Sequence, residues 1–197
     1  SGSDVLAVML LQRESGVADP LPVMPLFETL SDLQNAPAVV ENLFQIPGYA
    51  DSINHSQQIM VGYSDSAKDA GFLAASWAQY QAQEQLVDIC KNHNIQPRLF
   101  PGRGGSMSRG GGSAHDALLS QPPGAVEGYV RITEQGEMIR FKFGLPGIAY
   151  RTLELYTCAT LEATILPPPK PSTQWRELMD KLTGLSLLHI RRCRRRG

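Results

Sequence analysis

The feature that most limits what this chain can fold into is a rhythm. Four short apolar runs start at Leu21, Gln57, Gln96 and Tyr129, roughly 33 to 39 residues apart, and each is followed by a helical pattern. A short apolar run, then turn residues, then a helical period is the pattern of a βα unit. Strands separated by a helix pair in parallel, because the chain must cross over before it can run in the same direction again. Leu21–Phe27, Gln57–Tyr63, Gln96–Phe100 and Tyr129–Thr133 are therefore predicted as strands. Helices are predicted over Asp4–Glu14, Ser31–Phe44, Ala70–His93 and Ser113–Ser120, then Met138–Leu166 with a break near Pro146-Gly147, and Thr173–Leu182. In the longest uninterrupted helix, Phe72, Trp77, Tyr80, Leu86 and Ile89 are expected to face the core. About four βα units make half of an eight-stranded barrel, so the expected fold is α/β: a partial TIM (β/α)8-type barrel with long helices. Half a barrel leaves raw sheet edges. Since the chain also lacks an initiating methionine, it is expected to be part of something longer.

Parallel α/β sheets hold their ligands beyond the carboxyl ends of the strands. At those ends this sequence places Glu28, then Asp65 and Lys68, then a loop from Gly102 to Gly112 carrying Arg103 and Arg109, then Glu134. Glu28 and Asp65 offer the oxygen ligands that a hard divalent cation prefers, although an acid at a helix start is also favoured by the helix dipole alone. Lys68 opposes that dipole, which suits a lysine held for an incoming anion as well as a surface lysine. The loop is more than half glycine. It lacks the lysine and spacing of a P-loop, and Met107 breaks a dinucleotide fingerprint. What it offers is closely approaching backbone amides and two guanidiniums able to fork onto phosphate or carboxylate. His115, just after the loop, reads as structural.

Charge separates the remaining function classes. The net charge is −1, but five of the 18 basic residues lie at Arg191, Arg192, Arg194, Arg195 and Arg196, leaving 13 positive against 19 negative charges elsewhere. An acidic body argues against a nucleic-acid-binding domain. The alternative that survives is a non-catalytic module binding a polyanion such as RNA through the Gly/Arg loop and the arginine-rich end. Three cysteines without metal-ligand spacing fit a reduced, cytosolic setting. No apolar run approaches the ~20 residues needed to span a bilayer, and Val5–Leu11 lacks the flanks of a signal peptide.

The motifs PLFETL, GYSDSAKDAG, GRGGSMSRGGG, SQPPG and TEQGEMIRFKFGLP occur in this order. Together they resemble the C-terminal barrel portion of phosphoenolpyruvate carboxylase, from about Ser3 to Thr183. The resemblance implies domain limits of 1–183 for a partial barrel and 184–197 for a divergent arginine-rich tail. It implies a cytoplasmic enzyme that combines phosphoenolpyruvate and bicarbonate to oxaloacetate and phosphate with Mg²⁺ or Mn²⁺, through carboxyphosphate and a pyruvate enolate. Glu28 and Asp65 match the metal carboxylates, and Lys68 the bicarbonate lysine. Arg103, Gly104, Gly105 and Arg109 match the substrate-binding loop, with Arg109 also implicated in binding the feedback inhibitors aspartate or malate. A homotetramer and the remainder of the same enzyme are the implied partners. Three departures stand out: Pro101 replaces the family's loop histidine, Ser108 a glycine, and Gly147 a glutamate. Alone, the segment is expected to be inactive or nearly so.

Overall fold

Three of the four predicted strands form, all parallel, in the order β1-β2-β3. The structure is a computed structural model that describes residues 1–62, 70–101, 113–134 and 136–194. The strands are β1 (Leu26–Phe27), β2 (Ser56–Val61) and β3 (Gln96–Pro101). The helices are α1 (Gly2–Glu14), α2 (Leu30–Phe44), α3 (Tyr49–Ser52), α4 (Phe72–Asn92), α5 (Ala114–Leu119), α6 (Gly136–Phe143), α7 (Pro146–Ile165) and α8 (Thr173–Arg194).

β2 shows why the sheet has two unlike faces. Its side chains alternate, so Gln57, Ile59 and Val61 are buried under the helices while Ser56, Gln58 and Met60 stay partly open. Gln57 is tolerated in this core because its amide is satisfied. The Tyr49 hydroxyl donates to its Oε1 at 2.8 Å, and its Nε2 donates to the Val23 carbonyl at 3.2 Å. Burial pushes the Tyr49 hydroxyl up to about 12, so it stays protonated and able to donate. α2 and α4 close this face, with Leu33, Val40, Leu43, Leu86, Val87 and Cys90 at its centre.

β1 is shorter than predicted, two residues rather than seven, because Pro22 and Pro25 have no N–H to offer a ladder. Pro25 still contributes its carbonyl, which accepts from the Met60 N–H at 2.9 Å. Phe72, expected in the core stripe of α4, is 74% exposed. The buried stripe keeps the expected Trp77 and Leu86 and also runs through Ala74, Ala75, Ala78 and Ala82, small residues that let the helix lie close to the sheet.

The fourth predicted strand does not form: residues 129–134 run alongside without joining the sheet. β3 explains this. The Gln96 N–H donates to the His55 carbonyl on the β2 side, so the amides of 97, 99 and 101 point toward the free edge. Two of those three positions are Pro97 and Pro101, which have no N–H. The segment is held instead by its side chains. The Arg131 guanidinium lies 4.8 Å from the Phe100 ring centre and donates to Gln58 Oε1 at 2.9 Å, while Arg98 lies 5.1 Å from the Tyr129 ring centre. The described residues therefore make an open three-stranded sheet with helices, not four barrel units.

The helical stretch predicted over 138–166 breaks near Pro146-Gly147 as expected, with Gly144 following the end of α6 and Pro146 opening α7, where its missing N–H costs nothing. α5 packs on α7 through Leu118, Ala159 and Ala163. α8 continues past the predicted end at Leu182 and docks on α4. There Arg176 forks onto Glu84 at 2.6 and 2.8 Å, and the Trp77 Nε1 donates to Asp180 at 2.6 Å. Among the described residues, no helix is long and apolar enough to cross a membrane.

α2 is capped by Thr29, not by Ser31. The Thr29 hydroxyl accepts from the Asp32 N–H at 3.1 Å and the Asp32 carboxylate accepts from the Thr29 N–H at 3.1 Å. The Thr29 backbone bond, and after it the hydroxyl, hold the Asp32 carboxyl below its ordinary 3.8. A carboxyl with a lowered folded-state pKa stabilises above its unfolded pKa and loses that contribution as pH falls through the folded value. Thr29→Ala is expected to cost about 1 kcal/mol in urea unfolding at pH 7. Asp32→Asn should show its deficit at pH 7 and lose it as pH falls through the carboxyl's folded-state value, which lies below 3.8.

Candidate anion and metal site

The register of the sheet sets which loops meet. Phe27 is level with Val61 and Val61 with Pro101, so all three strands end in one line. Glu28, Gly62 and the chain beyond Pro101 therefore leave the sheet at a common edge. Gly62 is tied to the first strand by its N–H, which donates to the Phe27 carbonyl at 2.8 Å. It turns with φ +72°, and a Cβ there would lie 2.2 Å from Gln79 Nε2, so both conformation and space call for glycine.

Glu28 is half-buried one residue past β1, directly ahead of the Thr29 cap. Asp65, Lys68, Arg103, Gly104, Gly105 and Arg109 lie outside the described residues. The structure does describe the strand ends from which their segments leave. Among the described residues, no three His, Cys, Asp or Glu side chains cluster as a metal set. The proposed pair Glu28 and Asp65 is an all-oxygen donor set, which suits a hard cation such as Mg²⁺ or Mn²⁺ that keeps several waters.

Glu134 was singled out from its position alone, and the structure adds partners for it. Its Oε1 accepts from Lys142 Nζ at 2.5 Å and from the Tyr156 hydroxyl at 2.5 Å, and Lys142 reaches the same hydroxyl at 3.1 Å. Burial pulls the Lys142 ammonium down, but the hydrogen bonds it donates to Glu134 and Tyr156 outweigh this and the net shift is upward. Burial, with Glu134 behind it, raises the Tyr156 hydroxyl. The three side chains fasten the 129–134 segment to α6 and α7. Sequence reading missed Lys142 and Tyr156. The available signal was a lysine in the last turn of a helix, where the dipole favours a cation.

His115 is structural, as expected: its Nε2 lies 2.8 Å from Glu162 Oε2, clasping α5 to α7. Cys90 is buried with its thiol pushed up to about 12, so it is inert packing.

A parallel three-stranded sheet covered by helices places the chain among the α/β proteins. Comparison with known proteins makes the class specific. The family model described as phosphoenolpyruvate carboxylase matches residues 1–195, and the chain belongs to that family. It is 58% identical over 185 residues to the phosphoenolpyruvate carboxylase of Acinetobacter baylyi, covering 94% of this chain and 21% of that protein. The enzyme of that name from Chromohalobacter salexigens is 61% identical over 184 residues, covering 93% of this chain and 21% of the relative. That from Pseudomonas aeruginosa is 60% identical over 190 residues, covering 96% and 22%. The chain thus spans about a fifth of the length of these relatives. The finer placement in a C-terminal barrel portion, expected from the motifs, is not borne out by these matches, which carry the family and the share of length.

Proposed function

We propose that this chain is a segment of a phosphoenolpyruvate carboxylase that contributes part of its metal and anion site and works only with the rest of the enzyme. The observation that carries the reading is the level ending of Phe27, Val61 and Pro101, from which Glu28, the Asp65/Lys68 segment and the Arg103/Arg109 loop all depart. In that reading the sheet is one wall of a barrel, 1–183 is its segment and 184–197 an appended end. Apolar side chains left in solvent, including Phe141, Tyr150 and Ile165, support it, because a protein five times longer has the surface to cover them.

The reaction joins phosphoenolpyruvate and bicarbonate to give oxaloacetate and phosphate. Lys68 holds bicarbonate by charge. Arg103 and Arg109 fork onto the phosphate and carboxylate of phosphoenolpyruvate, and the amides of Gly104 and Gly105 approach the same oxygens because no Cβ stands in the way. Negative charge grows on oxygen both when the phosphoryl group moves and when the enolate forms, and fixed guanidiniums stabilise it without reorganising. A Mg²⁺ or Mn²⁺ held by Glu28 and Asp65 would supply further charge stabilisation there. Arg109, turned to a dicarboxylate such as aspartate or malate, accounts for feedback inhibition by the same fork geometry.

The test is Mn²⁺ binding by the 197-residue chain, followed by water-proton relaxation. Glu28→Ala and Asp65→Ala are each expected to weaken it at least tenfold with the circular dichroism unchanged. Binding by both variants as tight as by the unaltered chain would sink the metal assignment. Salt-sensitive RNA binding lost with Arg191 to Arg196 would favour the polyanion module instead.

A further inference from the structure

α8 lies on α4 with its polar side inward. Arg176 forks onto Glu84, Asp180 accepts from Trp77 Nε1 and, at 3.3 Å, from Gln81 Nε2, and Thr183 of the same side is buried. These three residues are spaced four and three apart, so they make one face of the helix. The large apolar side chains are on another. Trp175, Leu178, Leu182 and Leu185 follow at spacings of three, four and three, and all four are 42% to 65% exposed. An amphipathic helix ordinarily turns such a stripe to its own core. Here that roll would break the Arg176 fork and the Asp180 bonds, so the polar contacts hold the apolar stripe out in solvent. A continuous apolar stripe held outward is a surface for a partner.

The spacing says which partner fits. Three, four, three reads the same from either end, so a second α8 laid antiparallel sets Trp175 beside Leu185 and Leu178 beside Leu182, each twice, as a two-fold axis requires. Charge agrees with that alignment. Glu177 and Lys181 stand on one flank of the stripe, and the antiparallel copy carries Glu177 of each helix toward Lys181 of the other. Antiparallel helices also set opposite dipole ends side by side. We propose that the α8 stripe is a self-association surface, through which two copies of this chain pair as antiparallel helices about a two-fold axis. A helix pair four layers deep buries on the order of 1,000 Å² in total, the weak end of specific interfaces, and the dissociation constant should be on the order of 100 μM. The pairing does not depend on the metal and anion reading of the strand ends.

Sedimentation equilibrium of the 197-residue chain, from about 5 to about 500 μM, should show a reversible monomer–dimer equilibrium and nothing larger. Trp175 emission should move to shorter wavelength over the same range, as Leu185 of the second copy covers the ring. Leu178→Glu, Leu182→Glu and Leu185→Glu, folded by circular dichroism, should each weaken association at least tenfold, because each sets a carboxylate against an apolar side chain of the other copy. Phe141→Glu, an equally exposed apolar position on α6, should leave it unchanged. A chain that stays monomeric throughout would mean that the stripe awaits another part of a longer polypeptide, and would overturn the proposal. So would open-ended aggregates, a dimer that survives the glutamate variants, or one lost equally in Phe141→Glu. Should Leu178→Glu or Leu182→Glu fail to fold, Leu185→Glu, at the more exposed position, decides: a monomer supports the surface and an unchanged dimer overturns it.

Discussion

Gly62→Ala should destabilise the chain by about 2 to 5 kcal/mol in urea unfolding. Two costs combine. Forcing an alanine into the left-handed region at φ +72° costs about 1 to 2 kcal/mol. The new Cβ would also stand 2.2 Å from Gln79 Nε2 and 2.5 Å from its Cδ. Gln79 is only 8% exposed, so its amide has no solvent to swing into, and overpacking of this kind costs about 1 to 3 kcal/mol more. Gly16→Ala separates the two effects, because Gly16 has φ +67° with nothing within 4 Å of its Cβ position and should lose only the conformational share. Gly124→Ala supplies the complementary control. It has φ +85° and a Cβ position 2.9 Å from both Lys91 Nζ and Val87 Cγ1, near the far end of α4 from Gly62. It should cost a similar amount in urea midpoint while leaving Mn²⁺ binding intact. Gly62→Ala should weaken metal binding as well, because the chain leaving Gly62 leads to Asp65. Equal stability of Gly62→Ala and Gly16→Ala would show that Gln79 yields freely.

What could be read from residues alone divides along the range of the forces involved. β2 and β3 were legible because a buried strand needs only local composition and alternation, and the polar residues at their ends stand out against it. The common edge at which the strands end follows from parallel pairing, which the helical spacing already required. The absent fourth strand was not legible, since Tyr129–Thr133 has good strand composition and the obstacle lies in another segment, at Pro97 and Pro101 on the edge it would have joined. On the core face of α4, Trp77 and Leu86 are buried as expected, and Phe72 alone was misjudged, for a related reason. Size suggested Phe72, but closeness to the sheet selects the alanines, and Phe72 stands in the first helical turn in solvent. The Glu134–Lys142–Tyr156 cluster depends on α6 and α7 folding back after Gly144, a geometry no pattern of residues announces. The family motifs fared well, since the family they imply is the one the comparison shows, whereas the barrel they imply does not form among the described residues.

Pro101→His should raise the carboxylation rate about 100- to 10,000-fold when this segment is carried in a full-length enzyme of the family, the range expected for restoring one proton-transfer group. The position closes β3, level with Val61, immediately before the Arg103/Arg109 loop. Proline there can neither take nor give a proton, and it also removes an N–H from the sheet's free edge, so two losses share one residue. Pro101→Leu tells them apart. It restores the edge amide without an imidazole, and together with Pro97→Leu it should let residues 129–134 pair with β3, seen as added amide-exchange protection over 97–101. Activity should stay low in these leucine variants and rise only with histidine, with a dependence on pH near the imidazole range that the proline enzyme lacks. If leucine restored the rate as fully as histidine, the defect would lie in closing the sheet edge, and the proton-transfer account of this position would be wrong. If histidine restored nothing, the cause would have to be sought in Ser108 and Gly147, the other two departures in this part of the chain.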